Sequence, residues 1–415
     1  MSLEAILDTI RPGDTVFVAG STGEPTALLD AWGQDPERTR GLQIVTSAVP
    51  GINALDLGAW HPSCQVTGLF MQPAFRSLHE ARRYHWLPLS YGGFTKHLRE
   101  CSTPPDTCVV QVSPPGPDGR HSLGFAAEFM PVVLGRARRI LAVVNHAVPY
   151  IARSPKIDKT AFDAICEVET SLPAYDTGEL DEVSVTIARA IAGHVKDGSA
   201  VQVGIGKVPA ALLAALAGHR RLRMQSGMLG EGFRVLVEAG AVEEGWAHQG
   251  CVMVGSRSLY DWAADQDCFE IAGCEHTHDP ARLASTADLV AVNSALAVDL
   301  FGQCNLELAG SRAVSGAGGA PDFARAAKLS PGGLSIVALP ATAKGGSVSR
   351  LVVALPSPGL SSLPRTDVDM IVTEYGVADL RGLDVAERGA RIAAIAAPQF
   401  RDQLQREWWA LHAAM

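Results

Sequence analysis

DGSAVQVGIGKVPAALLAAL, Asp197 to Leu216, is the stretch from which the fold can be read. A polar turn leads into a short β-branched run, Ala200–Val203. A glycine loop follows, GIGKVP, and then an Ala/Leu-rich segment with helical character. Pro209 falls near the start of that segment, where a helix tolerates proline. This is a strand–loop–helix unit. A second copy lies upstream: PGDTVFVAGSTGEPTALLDAW, Pro12 to Trp32, aligns with the first after one gap. Its strand is expected over Thr15–Ala19, and Pro25 takes the place of Pro209. Two such units in one chain point to an internal duplication.

The runs between and beyond the copies extend the pattern. LQIVTS, CVVQVS, RILAVV, LVAVN, LSIVALP and DMIVTEYG all read as strands, with helix-like runs between them. That alternation predicts an α/β protein with parallel sheets and covering helices. SLPAYDTGELDE, 171–182, has turn residues and acids but no apolar period, and it precedes the second copy. Two α/β halves are therefore expected, 1–175 and 176–415.

Composition agrees with this class. The chain has 415 residues, enough for two cores, with 47% hydrophobic and 19% charged residues. A net charge of −9 argues against a general nucleic-acid surface. A polyanionic ligand would need local basic groups or backbone N–H groups. Eight cysteines without a regular framework read as free thiols of a reducing compartment. The first residues have no signal-peptide pattern, and no apolar run has the length of a membrane span. A cytoplasmic protein is expected, with no membrane partner.

Three loops hold candidate chemistry. Gly204, Ile205, Gly206, Lys207 and Val208 form a glycine turn before a helix, which offers N–H groups to an anion. Pro209 stands where a dinucleotide fingerprint needs its third glycine, so that motif fails. SGAGGAPDFARAAKLS, 315–330, allows positive φ at Gly316, Gly318 and Gly319 and makes a nest for an oxyanion or phosphate. Arg325 and Lys328 follow on similar faces of a helix. Lys344, in PATAKGGSVSR, opens a loop where a phosphate contact fits. Cys268, Cys274, His276 and His278 were tested as metal ligands, with the two histidines sharing a strand face. Their spacing matches no zinc pattern, and no metal is expected.

Seven stretches resemble the acetyl-CoA hydrolase/transferase family, the single-chain class I CoA-transferases that include 4-hydroxybutyrate CoA-transferase. They are QVSPPGPDGRHSLGF (111–125), VGIGKVPAALLAAL (203–216), GMLGEGFRVLVEAGAV (227–242), SRSLYDW (256–262), VNSALAVDLFGQCN (292–305), SGAGGAPDFARAAKLSPGGLSIVALPATAKGG (315–346) and TEYGVADLRG (373–382). They follow the family's order over most of the chain. The resemblance implies two open α/β domains, acyl-CoA substrates and a small carboxylate acceptor. It implies a glutamate that attacks the thioester and becomes a glutamyl-CoA adduct. It also implies an oxyanion site at Gly318 and Gly319, and coenzyme A contacts at Gly204–Val208, at Gly316 to Gly319 and at Lys344. A homo-oligomer is expected, of an order the sequence does not set.

In that family the catalytic glutamate follows a serine and precedes the helix that here reads LVEAG. This chain has Ser226 and then Gly227. Further departures are Val143 and His146 in place of Glu and Asp, Phe75 before Arg76 in place of Thr, and SYGG (90–93) in place of a His-Glu pattern. Glu128 stands where the family has Asp. A nucleophile is lost while the glycine loop is intact. Three outcomes are open: an acyl-CoA reaction without a glutamyl-CoA adduct, transfer through another carboxylate such as Glu231, or a non-catalytic acyl-CoA binder or partner subunit. Hydrolysis, decarboxylation, carbon–carbon cleavage and acyl transfer to another acceptor all belong to the first. Ser226, His146, Glu128 and Glu231 are the polar candidates for changed chemistry.

Overall fold

A computed structural model describes residues 1–415. The chain divides into two compact units. The first comprises Met1–Asp176, Met228–Gly230 and Ala247–Thr277; the second comprises Thr177–Gly227, Glu231–Trp246 and His278–Met415. The change at 176 lies inside the 171–182 linker. Two later pieces, 228–230 and 247–277, belong to the first unit although they fall in the second half of the sequence. Short parallel pairings inside that unit explain why. Met228–Leu229 pairs with Val252–Met253, and His248–Gly250 pairs with Phe269–Ile271.

The first unit is built on seven parallel strands: β1 Thr15–Val18, β2 Gln43–Thr46, β3 Gln65–Gly68, β4 Tyr84–Trp86, β5 Thr107–Val112, β6 Arg139–Asn145 and β7 Ala164–Val168. Their order is β4-β3-β2-β1-β5-β6-β7. β5, TCVVQV, is buried along its whole length. Continuous apolar runs of this kind belong to sheets covered on both faces. After β1 comes a short 3-10 turn and then helix α1, Thr26–Gln34.

The second unit has six strands: β8 Ala200–Val203, β9 Arg223–Met224, β10 Leu289–Ser294, β11 Leu334–Ala338, β12 Met370–Thr373 and β13 Gly376–Asp379. The order is β9-β8-β10-β11-β12-β13, and only β13 is antiparallel to its neighbour. Helices α2 Lys207–Ala215, α3 Glu231–Glu238 and α4 Ala320–Leu329 carry the loops of interest.

The two sheets share one wiring. β2-β1-β5-β6-β7 in the first matches β9-β8-β10-β11-β12 in the second, strand for strand. β1 and β8 are the strands of the two sequence copies, and each lies next to the strand that follows it and the strand that crosses over. The duplication seen in the sequence is thus a duplication of topology. No helix is long and apolar enough to cross a membrane.

Helix α4 anchors the site described below. Phe323 is 2% exposed and packs in a cluster with Leu283, Leu289, Ala291 and Ala326. Phe323→Ala is expected to cost about 3–5 kcal/mol, because a buried ring leaves a cavity. Urea unfolding followed by circular dichroism would measure this; a loss under about 1 kcal/mol would mean that the ring does not anchor the helix.

Candidate active site

The carboxyl ends of parallel strands are where open α/β sheets hold their ligands. In the second unit, the loop after β8 runs Gly204, Ile205, Gly206 into α2. Gly206 has φ +114° and ψ −178°, a backbone region open only to glycine. A Cβ on Gly204 or Gly206 would meet nothing within 4 Å, so this turn is open. No side chain caps α2, which leaves its first N–H groups turned outward. Lys207 is exposed, with its ammonium 3.2 Å from Asp181. Val208 is buried in the helix's inner face.

The chain after β9 brings Ser226 and Gly227 to the same edge. Ser226 is fully buried, and its hydroxyl donates to the Val203 carbonyl at 3.0 Å. That bond ties the segment to the end of β8. Ser226 is therefore an anchor for Gly227, not an activated hydroxyl. Glu231 opens α3 on the exposed side, a placement favoured by the helix dipole.

The glycine loop 315–319 leads into α4, with Gly319 at its N-cap and no side-chain cap. Of the three glycines expected to use positive φ, only Gly318 does, at +58°. Gly319 has φ −85° and needs to be glycine for another reason. A Cβ there would lie 2.5 Å from Nε2 of His278. The same imidazole faces Gly227, where a Cβ would lie 3.0 Å from Nε2 and 3.1 Å from Cε1. The His278 ring thus occupies the volume beside both glycines. It stands edge-on to Phe323, with centroids 5.0 Å apart and planes at 68°. It is 2% exposed, and burial pushes its pKa down to about 3. The ring is neutral at any working pH.

This corrects the strand expected around His276 and His278. Cys274–Thr277 is a short helix, which leaves His276 exposed and turns His278 inward. Arg325 and Lys328 also differ from the anion-facing arrangement. Both Nε and Nη2 of Arg325 bond to Asp367, and Lys328 pairs with Asp369. Lys344 is exposed at φ +51°, followed by Gly345 and Gly346 at +65° and +91°.

In the first unit, Glu128 forms a separate buried cluster. Ser21 donates to its Oε1 at 2.6 Å and Ser47 to its Oε2 at 2.8 Å. Ser21 and Glu128 both adopt positive φ, +49° and +37°, which costs a non-glycine residue about 1–3 kcal/mol each. Asn53 holds the first of these, since it accepts from the Ser21 N–H at 2.7 Å and donates to the Ser21 carbonyl at 3.0 Å. Burial raises the Glu128 pKa to about 7, partly offset by the two serines. Glu24 rises to about 7 for the same reason, and its Oε2 is buried without a hydrogen-bond partner. His146 is on the surface, 3.1 Å from Glu167.

Sequence reasoning weighed His278 only as a metal ligand. Its neighbours in space, Gly227 and Gly319, are 51 and 41 residues away in the chain. The available hint was volume: a glycine in place of a long side chain in a packed interior calls for compensating bulk elsewhere.

Two open, mainly parallel sheets of matching topology, each with glycine-rich turns at the carboxyl ends of its strands, define the class as a duplicated α/β scaffold of the CoA-transferase type. Residues 255–408 match the model of the acetyl-CoA hydrolase/transferase C-terminal domain. The chain is 30% identical over 414 residues to the 4-hydroxybutyrate coenzyme A transferase of Clostridium kluyveri, covering 98% of this chain and 96% of that one. It is 27% identical over 354 residues to an acetyl-CoA hydrolase of Saccharomyces cerevisiae, covering 73% and 65%. The crystal structure of RipA from Yersinia pestis superposes with a TM-score of 0.89 at 26% identity, covering 99% of this chain and 97% of that one. The chain belongs to the acetyl-CoA hydrolase/transferase family, and it is an enzyme of the hydrolase/transferase type.

Glu128 yields a pH prediction. The folded protein keeps its proton up to about pH 7, whereas the ordinary value is 4.5. Its contribution to stability is complete below 4.5 and is lost as pH rises through 7. Glu128→Gln has no proton to lose. Relative to the parent it should gain about 2–3 kcal/mol between pH 5 and pH 8. Paired thermal melts at the two pH values would show this; an equal difference at both would mean that the carboxyl titrates normally.

Proposed function

We propose that this enzyme processes acyl-CoA thioesters without forming a glutamyl-CoA adduct, passing the acyl group to water or another acceptor. The observation that carries this reading is the imidazole of His278 in the volume beside Gly227. If Gly227 holds the family's nucleophile position, the chain lacks the carboxylate there, and the space for one is filled. The N–H groups at Gly318 and Gly319 and at the start of α4 are retained. Donors at such a turn stabilise negative charge on a thioester carbonyl whatever attacks it. The open turn at Gly204–Val208 and the exposed Lys344 are the proposed contacts for the phosphates of coenzyme A. Thioester hydrolysis is the simplest chemistry this arrangement supports; decarboxylation or carbon–carbon cleavage would use the same carbonyl site.

The test is an acyl-CoA panel followed by mass spectrometry. Acetyl-, propionyl-, butyryl-, malonyl- and 3-oxoacyl-CoA would each be incubated with and without acetate. The expected result is loss of thioester that does not depend on acetate, and no CoA adduct on the protein after borohydride treatment. An acetate-dependent appearance of acetyl-CoA, or an adduct at Glu231, would establish transfer through another carboxylate and overturn the reading.

The steric argument has its own test. Gly227→Glu alone should not acquire acetate-dependent CoA exchange, because the His278 ring blocks the side chain. Gly227→Glu combined with His278→Gly removes the block and should yield a protein–CoA adduct with butyryl-CoA. Adduct formation by the single variant at the level of the double would show that the ring does not fill the site.

A further inference from the structure

The ring of His278 does more than occupy space. Its Nε2 is aimed at the two glycine backbones: 2.5 Å from a Cβ position on Gly319 and 3.0 Å from one on Gly227. Only glycine at 319 lets the ring approach the loop this closely. The ring is also held in orientation. It stands edge-on to Phe323, which belongs to the buried cluster under α4. Gly227 is held by the Ser226 hydroxyl on Val203. A rigid ring nitrogen therefore lies at the junction of three chain segments, those of Gly227, His278 and Gly319.

A neutral imidazole has one N–H donor and one bare nitrogen. With its pKa pushed down to about 3, this ring is a poor proton acceptor near neutral pH. It therefore does not act as the base that activates water. A fixed neutral N–H is suited instead to bond an oxygen that gains negative charge, the electrophilic use of an uncharged histidine.

We propose that His278 is a catalytic residue that donates its Nε2–H to the thioester carbonyl oxygen, beside the backbone donors of the Gly318–Gly319 turn. This deepens the function proposed above and rests on it. In hydrolysis, a water oxygen bonds to the carbonyl carbon, and the C=O electron pair moves to oxygen, where His278 and the turn receive it. The pair returns, the carbon–sulfur bond breaks, and coenzyme A leaves as thiolate. The proton shed by the water ends on that thiolate, giving the free acid and the free thiol. His278 keeps its proton throughout, so its contribution is independent of pH across the neutral range.

The experiment uses the full-length protein and acetyl-CoA carrying a carbon-13 carbonyl, read by difference infrared spectroscopy and by steady-state kinetics. The variants are His278→Ala, which removes the donor, and His278→Gln, which restores an N–H. Bound to the parent protein, the thioester carbonyl band should shift to lower frequency. The shift should shrink in His278→Ala and return in His278→Gln. For whichever thioester reaction the parent runs, kcat should fall roughly 100- to 1000-fold in His278→Ala and recover about tenfold or more in His278→Gln, with KM held within about threefold. The kcat–pH profile of the parent should show no inflection that His278→Gln removes. An identical carbonyl band in parent and His278→Ala, with acetyl-CoA bound to both, overturns the role of His278. A parent protein to which acetyl-CoA does not bind overturns the underlying functional reading instead. The binding isotherm of free coenzyme A, compared between variants, separates lost chemistry from a collapsed fold.

Discussion

A parallel sheet delivers every strand's carboxyl end to the same edge. That constraint governs both units of this chain. β8 ends at Val203, and the segments after β8 and β9 are joined where Ser226 reaches back to the Val203 carbonyl. The loop ahead of α4 completes the group. In the first unit the same rule gathers Ser21 after β1 and Ser47 after β2 around Glu128. Residues far apart in sequence meet because the crossovers return them to one edge, not because of any local attraction.

Both units bury a titratable side chain there, and in both the environment selects the uncharged form. Burial lowers the His278 pKa and raises that of Glu128. The signs are opposite, but the physical cause is the same: a charged form loses its hydration and no counter-ion replaces it. Contrast the pairs Arg325–Asp367 and Lys328–Asp369, where each charge has a partner and keeps it. Neutral polar groups of this kind exchange hydrogen bonds without the reorganisation that charged ones demand, and this suits a site where charge appears only briefly.

The fold was largely legible in the sequence. Uninterrupted apolar runs such as CVVQVS and LSIVALP identify strands covered on both faces, and the two strand–glycine–helix copies point to the duplicated wiring. The borrowing of 228–230 and 247–277 by the first unit was not legible, since it depends on two- and three-residue pairings that leave no periodic trace. The site was legible in part. Gly227, Gly318 and the Gly204–Val208 turn were marked by glycines in motif positions. The partner of Gly227 was hidden, because steric complementarity between distant residues has no signature in either segment. Arg325 and Lys328 looked free to meet an anion only while the acids at 367 and 369 were out of view.

The close fit of His278 against two glycines has a consequence for how such a site can vary. Positions 227, 278 and 319 share one volume, so their substitutions are not independent. A side chain added at 227 or 319 is tolerated only after the ring at 278 has shrunk, and shrinking it first opens a void that the surrounding packing penalises. Every single step is uphill, whichever position moves first. The three residues form a locked set in which the order of exchange matters as much as the residues exchanged, and a chain that has reached this state is held in it by epistasis rather than by the strength of any one contact.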